Sequence, residues 1–155
     1  MAVLGYTLAI ILFSLASTSD ASCGDPFMQV GTLCIYVNSR EKMTWHEGRD
    51  YCRSLQSTEG QPDLAMVTSC HDLNPLWEYI VFNHVLDDYW LGGFDVGLEG
   101  SWHWVDGSLM PMGIPFWSTN SPTGGSRENC LLMSSPSGYF DDYTCTSKEY
   151  VLCSV

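Results

Sequence analysis

The sequence is rich in carboxylates, the side chains whose chemistry is easiest to read from composition alone. It has 18 Asp and Glu residues against 6 Lys and Arg residues, which gives a formal net charge of −12. Carboxylate oxygens are the preferred ligands of hard cations such as calcium, so acids that converge in the fold could form a cation site. An acidic surface that keeps the protein soluble explains the same charge, and composition does not separate the two interpretations.

The charge also excludes two classes of partner. So acidic a chain offers little to neutralise the phosphates of a nucleic acid, and an anionic membrane surface would repel it. The 155 residues are 45% hydrophobic, which is enough for one folded domain with a real core. We therefore expect a folded domain whose partners are neither nucleic acids nor anionic membranes.

Nothing in the sequence indicates an enzyme. The histidines are scattered, and the chain contains neither a GxSxG nor an HExxH motif. These histidines are His46, His71, His84 and His103. We predict surface or packing roles for them and a binding function for the protein.

Seven cysteines dominate the remaining chemistry, and none lies in a CxxC motif or a Cys/His cluster with zinc spacing. Outside the cytosol such cysteines form disulfides, and an odd number leaves one thiol free or bonded to another chain. Their spacing alone does not fix the connectivity. They are Cys23, Cys34, Cys52, Cys70, Cys130, Cys145 and Cys153.

The first residues are typical of a secretory signal. An apolar run from Val3 to Ala16 is too short to span a bilayer comfortably, and Ser19 and Ala21 form a small-residue cleavage pattern after it. Ser14 and Ala16 form a competing pattern. We expect a signal peptide over residues 1–21, a domain over 22–155, and a secreted, extracellular product with no membrane span.

Two helices are predicted in the first half of the domain. Thr44 followed by Glu47 is a capping box, and the apolar positions behind it give one buried helical face. These positions are Trp45, Gly48, Cys52 and Leu55. A second helix is predicted to begin at Asn74, with Pro75 as its first helical residue.

Short strands are predicted mainly in the second half. Residues 63–67 form an early strand and residues 89–93 a buried one, while residues 101–105 lead into a hairpin turn at Asp106-Gly107. Residues 110–127 are rich in Pro and Gly and are predicted to form a loop. Two more strands follow around 130–133 and 150–153, so the chain reads as α+β.

Taken in order, these motifs resemble the C-type lectin-like domain family. The matching residues are Cys34, Thr44-Trp45, Cys52, Leu64-Ala65, Trp90-Leu91-Gly92, Glu99-Gly100, Trp102, Trp104, Asp106-Gly107, Asn129-Cys130, Asp142, Cys145, Tyr150 and Cys153. The resemblance implies a double-loop fold, with two helices flanking antiparallel sheets. It also implies the disulfides Cys52–Cys153, Cys130–Cys145 and Cys23–Cys34, with Cys70 left over.

The family resemblance further implies a calcium and sugar site in the long loop. The first ligand motif of the family, an acid or amide on either side of a proline, falls here on Ser121-Pro122-Thr123. Hydroxyls are poorer calcium ligands than carboxylates. Three later acids match the family's remaining positions: Glu128, Asp141 and Asp142.

A neighbouring pair of acids matches two ligands of the family's auxiliary calcium site. Asp95 and Glu99 are four residues apart after the Trp90 strand, and Gly124 stands where that site has a further acid. An ordinary solvated turn capped by Asp95 is an alternative interpretation.

The resemblance therefore implies a secreted carbohydrate-binding protein that uses calcium to recognise microbial or viral glycans in innate immunity. Its partners would be glycoproteins or microbial surfaces. The alternative is a lectin-like domain that binds protein, lipid or mineral surfaces without calcium-dependent sugar recognition. Cys70 adds the expectation of a disulfide-linked dimer, against the alternative of a buried, inert thiol.

Overall fold

The structure is a computed structural model, and it describes residues 23–111, 116–135 and 137–155. The predicted signal peptide, residues 1–21, lies outside the described residues, as does part of the predicted loop 110–127. In chain order the elements are β1 (Met28–Val30), β2 (Leu33–Met43), α1 (Trp45–Ser54), β3 (Asp63–Leu64), α2 (Cys70–Asn83), β4 (Tyr89–Phe94), β5 (His103–Trp104), β6 (Cys130–Met133), β7 (Phe140–Tyr143) and β8 (Glu149–Ser154), with a single 3-10 turn at Gly125–Arg127 before β6.

One eight-stranded sheet connects the described strands in the order β1-β2-β8-β4-β6-β7, with β3 paired to β8 and β5 to β4. The pairings are antiparallel except for β4 with β8, where Tyr89 lies beside Tyr150 and Trp90 beside Val151. The α+β class is confirmed, but the sheet is mixed rather than purely antiparallel. Strand β8 lies inside the sheet, between β2 and β4.

Helix α1 begins as the sequence predicts. The Thr44 hydroxyl accepts from the Glu47 amide at 3.3 Å, and the Glu47 carboxylate accepts from the Thr44 amide at 2.9 Å. This reciprocal pair satisfies two amides that a helix start leaves unpaired. The buried face of α1 consists of Trp45, Gly48 and Cys52.

Helix α2 begins four residues earlier than Asn74, so that prediction is wrong. Its cap is Ser69, whose hydroxyl accepts from the His71 amide at 3.0 Å. Pro75 lies inside the helix, where the N–H that it lacks would have bonded the carbonyl of His71. Cys70 is consequently the first helical residue rather than part of a connecting loop.

The predicted strands are confirmed in place but differ in extent. The strand predicted over 63–67 has only two residues, although the Ala65 amide still donates to the carbonyl of Leu152 at 2.8 Å. The strand predicted over 101–105 likewise has only two residues, and strands β1, β2 and β7 were not predicted. Strand β2 has eleven residues and pairs with β8.

The core forms around the glycine pair of β4. Trp90, Trp102 and Trp104 are almost completely buried; Trp102 and Trp104 belong to one core cluster, and Trp90 packs in a second with Trp45 and Cys52. At Gly92 a Cβ atom would lie 2.7 Å from the backbone oxygen of Leu64. Backbone cannot move aside like a flexible side chain, so this position accepts no larger residue without rearrangement.

Replacing Gly92 with alanine is expected to lower the free energy of unfolding by about 2–3 kcal/mol, because overpacking against backbone forces strands β3 and β4 apart. A Cβ at Gly97 would meet nothing within 4 Å, although its φ of +102° disfavours other residues. Gly97→Ala should therefore cost only about 1 kcal/mol. Urea unfolding of both variants tests the difference, and equal losses would contradict the packing argument.

Three disulfides lie within the described residues: Cys23–Cys34, Cys52–Cys153 and Cys130–Cys145. These are the pairs that the family resemblance implies. The bond from Cys52 joins α1 to β8, and the bond from Cys130 ties β6 to the segment after β7. Among the described residues, no helix is both long and apolar enough to cross a bilayer.

Candidate functional site

The predicted loop acids are positioned by the hairpin of β6 and β7. In its antiparallel register Asp141 lies opposite Leu132, and Asp142 lies opposite Leu131. The segment from Phe116 to Asn129 runs alongside, since the amide of Ser118 donates to the carbonyl of Phe140 at 2.7 Å. The sheet thus brings residues 121–124 and the two aspartates together.

Asp142 is used inside the protein. Its side chain is only 3% exposed. The Thr123 amide donates to both carboxylate oxygens, at 2.9 and 2.8 Å, and the Gly124 amide donates to Oδ2 at 2.7 Å. Hydrogen bonds between amides and a buried carboxylate are strong, because the charge assists them. Asp142 therefore holds the backbone of the loop.

Asp141 is half-buried and meets the first of the two loop hydroxyls. The Ser121 hydroxyl donates to its Oδ1 at 2.5 Å, and the amide of Asp142 donates to the same oxygen at 3.1 Å. Within the described part of the chain both bonds go to Oδ1, which leaves Oδ2 as the acceptor available to an incoming group. The Ser121–Pro122 peptide bond is cis.

Glu128 follows the 3-10 turn and folds back over Gly124. A Cβ atom at Gly124 would overlap both the Cβ and the carboxylate of Glu128. Because Gly124 has no side chain, the Glu128 side chain can lie against it. Thr123 is exposed next to it, so hydroxyl and carboxylate groups share this edge of the loop.

Asp95 and Glu99 lie on the adjoining loop after β4. The Asp95 amide donates to the carbonyl of Asn129 at 3.2 Å, which joins the two loops. The Asp95 side chain is 3% exposed; its Oδ2 accepts from the Gly100 amide at 2.8 Å, while its buried Oδ1 has no partner among the described residues. An unsatisfied buried carboxylate oxygen is costly unless something binds it.

Several carboxylates lie close enough here to repel one another. Burial raises the pKa of Asp95, and the nearby carboxylate of Asp142 raises it further. The pKa of Glu99 is raised by partial desolvation and by the carboxylates of Asp95 and Asp142. A cation between these acids would relieve the repulsion and would satisfy Oδ1 of Asp95.

The fit to calcium differs between the two predicted positions. On the Asp95 and Glu99 side one buried oxygen lacks a partner in the described part of the chain and the acids repel one another, which favours a cation there, although these acids are not a group of three whose oxygens all lie within 4.8 Å of one another. The Asp141 and Asp142 side does not fit, because N–H and O–H donors already occupy three of its four carboxylate oxygens.

A different acidic group was missed by the sequence analysis. Among the described residues, Asp87, Asp88 and Glu149 are the acids whose oxygens all lie within 4.8 Å of one another. Lys42 already bonds two of them, at 2.9 Å to Asp87 and 2.9 Å to Glu149. Burial alone would lower the pKa of Lys42, but these bonds raise it above its usual range. The group therefore serves as an ion-pair network, and only the adjacent Asp87-Asp88 pair could have signalled it.

An open pocket of about 450 Å³ lies next to Glu99. Its walls are mostly apolar and include Leu98, Trp102 and Leu109. Trp102 packs edge-on against Trp117, with ring centroids 5.0 Å apart. An apolar pocket thus lies beside the acidic loop that carries Glu99.

The remaining cysteine, Cys70, is exposed at the start of α2. The alternative of a buried, inert thiol is therefore wrong: the first residues of α2, Cys70 and His71, are exposed, and its burial begins at Asp72.

Comparisons with known proteins agree with the fold. Residues 41–155 match the family model described as the lectin C-type domain. Hepatic lectin of Gallus gallus is 29% identical over 119 residues, which are 76% of this chain and 53% of that protein. The chain therefore spans about half the length of this curated relative.

Two solved structures show the same architecture at lower sequence identity. The C-type lectin CEL-I from Cucumaria echinata superposes with a TM-score of 0.73 and 20% identity, covering 85% of this chain and 96% of the other. A calcium-independent type II antifreeze protein gives a TM-score of 0.69 and 21% identity, covering 86% and 93%. At such identities the likeness concerns the fold alone.

Proposed function

The chain belongs to the C-type lectin domain family, and from this we propose that it is a secreted protein that binds carbohydrates on glycoproteins or microbial surfaces. The carrying observation is the shared edge of the long loop. There the Ser121 hydroxyl bonds Asp141, the amide of the exposed Thr123 bonds Asp142, and the Glu128 side chain lies against Gly124. Such a row of short polar groups can exchange hydrogen bonds with adjacent sugar hydroxyls, which donate and accept in pairs.

Different groups on this edge take different parts in the proposed binding. Asp142 holds the loop, since its carboxylate accepts from the amides of Thr123 and Gly124. Oδ2 of Asp141 and the exposed Thr123 hydroxyl meet the sugar, and Glu128 borders the same edge. Ser121 fixes the orientation of the Asp141 carboxylate.

Calcium enters the proposal at the neighbouring position. The partnerless Oδ1 of Asp95 and the mutual repulsion of the acids support a cation held by Asp95 and Glu99. A calcium ion bound there would supply positive charge that links the loop after β4 to the loop before β6. Recognition of microbial or viral glycans in innate immunity is the role we propose for this binding.

A glycan array probed with the secreted chain, with calcium and with EDTA, tests the function. Asp141→Asn is expected to weaken binding to the glycans it selects by about tenfold, which corresponds to one hydrogen bond to a charged group. Asp50→Asn, on the exposed face of α1, should leave binding unchanged. Absence of binding to any glycan in either condition would reject carbohydrate binding.

A second candidate function is recognition of protein, lipid or mineral surfaces without calcium-dependent sugar binding. The saturated carboxylate of Asp142 favours it, since this acid is already engaged by Thr123 and Gly124. The array distinguishes the candidates, because this function predicts no glycan signal but retained binding to such a surface in EDTA.

We also expect a disulfide-linked dimer through Cys70, because an exposed thiol in an oxidising compartment can pair with a second chain. A non-reducing gel of the secreted protein should show a dimer band that reductant removes. The Cys70→Ser variant should run as a monomer with its other disulfides intact. A wild-type monomer with one titratable thiol would contradict the expectation.

A further inference from the structure

We infer that the segment Ser121–Gly124 is held in place by its hydrogen bonds to Asp141 and Asp142, and that these two aspartates do not bind calcium. This departs from the ligand set that the family resemblance implies, in which both acids meet the ion. It concerns how the loop is held, and it stands whether or not the loop binds a sugar.

The carboxylate of Asp142 is already engaged by the protein. Both oxygens of this buried carboxylate face main-chain donors, at 2.7 to 2.9 Å. A calcium ion needs six to eight oxygen ligands and would compete for the same lone pairs. Its binding would take the acceptor away from the amides of Thr123 and Gly124 at a part-buried position, which is unfavourable.

The residue types in the loop also disfavour calcium. Ser121 and Thr123 stand where a calcium ligand motif would place acids or amides, and the Ser121 hydroxyl acts as a donor to Asp141. The hydroxyl proton stabilises the negative charge of the carboxylate and occupies a lone pair of the oxygen that a cation would otherwise use.

Asp95 on the neighbouring loop differs from Asp142 in how its carboxylate is satisfied. Among the described residues, Asp95 is the loop acid with a buried oxygen that nothing satisfies, whereas the buried oxygens of Asp142 are satisfied. The structure therefore separates two tasks between neighbouring loops. Asp95 keeps an oxygen that a cation could use, whereas Asp141 and Asp142 hold the loop with their hydrogen bonds.

Amide hydrogen exchange of the secreted chain tests how the loop is held. The amides of Thr123 and Gly124 should be protected to the same degree in EDTA and in excess calcium. Ser121→Ala should speed their exchange about tenfold in both conditions, as expected from the loss of one charge-assisted bond. Ser121→Thr, which keeps the hydroxyl, should restore protection, and Ser126→Ala in the same loop is the matched control.

Two results would overturn the inference on this readout. One is protection of the Thr123 and Gly124 amides that develops only when calcium is added. The other is exchange in Ser121→Ala that is indistinguishable from that of the Ser126→Ala control.

Calcium calorimetry then locates any bound ion without involving a sugar. Asp141→Asn keeps an oxygen that can accept from Ser121 but removes the charge that a cation needs. Its calcium affinity should equal that of the wild type, whereas Glu99→Gln should weaken any calcium binding that exists. A loss of more than tenfold in Asp141→Asn would overturn the inference. A wild type that binds no calcium would support it, and would contradict only the calcium part of the proposed function.

Discussion

Removing the disulfide between Cys52 and Cys153 is expected to lower the free energy of unfolding by about 4–5 kcal/mol, because its reduction frees a very long loop in the unfolded chain. The two cysteines are 101 residues apart, and the bond joins helix α1 to strand β8. Both cysteines are buried in the core, and the double variant Cys52→Ala, Cys153→Ala removes the bond without adding a free thiol to the exposed Cys70.

The bond between Cys130 and Cys145 provides the matched comparison. It encloses only 15 residues, and the same entropic argument assigns it about 3 kcal/mol. Denaturant unfolding of both double variants under non-reducing conditions measures the difference. If removing the disulfide that closes the shorter loop lowered the free energy of unfolding as much as removing the other, native-state contacts rather than loop length would set the stabilisation.

Replacing Asp142 with alanine is expected to cost about 3 kcal/mol, since two main-chain amides lose a buried, charged acceptor. The amides of Thr123 and Gly124 would then lie part-buried without their acceptor, and the loop would separate from β7. Urea unfolding measures the change in stability, and circular dichroism in the aromatic region reports any loss of order around Trp117.

Asp106→Ala is the control for Asp142→Ala. Asp106 also accepts from a backbone amide, that of Ser108 at 2.8 Å, but it does so at an exposed turn. Water replaces a lost acceptor there, so the expected cost is at most about 0.5 kcal/mol. Similar losses in the two variants would show that burial of Asp142 is not what gives its bonds their strength.

Local signals in the sequence predicted helix α1 well, because the residues that start it bond to each other. Thr44 and Glu47 are three residues apart and form their pair within one helical turn. The start of α2 was harder to predict, because the sequence offers two residues that could cap it. Ser69 and Asn74 are both good caps, and only the packing of the first turn decides between them.

Strands were harder to predict where their partners are distant in the chain. Strand β2 contains polar residues such as Asn38 and Arg40 among its apolar ones, and its stability comes from pairing with β8. The same holds for the ion pairs of Lys42 with Asp87 and Glu149, which three separate segments bring together. No local pattern encodes such contacts, since the chain must first fold to create them.

At the site, the sequence identified the acids but not their bonds. Asp95, Asp141 and Asp142 are of the residue type that calcium prefers, and they lie on adjoining loops. Whether a carboxylate meets an ion or an amide depends on where the backbone of residues 121–124 runs. That path is set by hydrogen bonds to the β6–β7 hairpin, which residue types alone do not reveal.

The position of β8 within the sheet has a consequence for how the protein is made. Strands β2, β3 and β4 all pair with β8, so the sheet cannot close while the ribosome is still synthesising residues 149–154. Until then Cys52 has no native partner, and of its two equally near cysteines along the chain, Cys34 and Cys70, only Cys70 lacks a native partner of its own among the described residues. Early oxidation therefore favours a wrong pair that thiol–disulfide exchange must undo. Oxidative folding of this chain should depend on a disulfide isomerase, and Cys70→Ser should reduce that dependence.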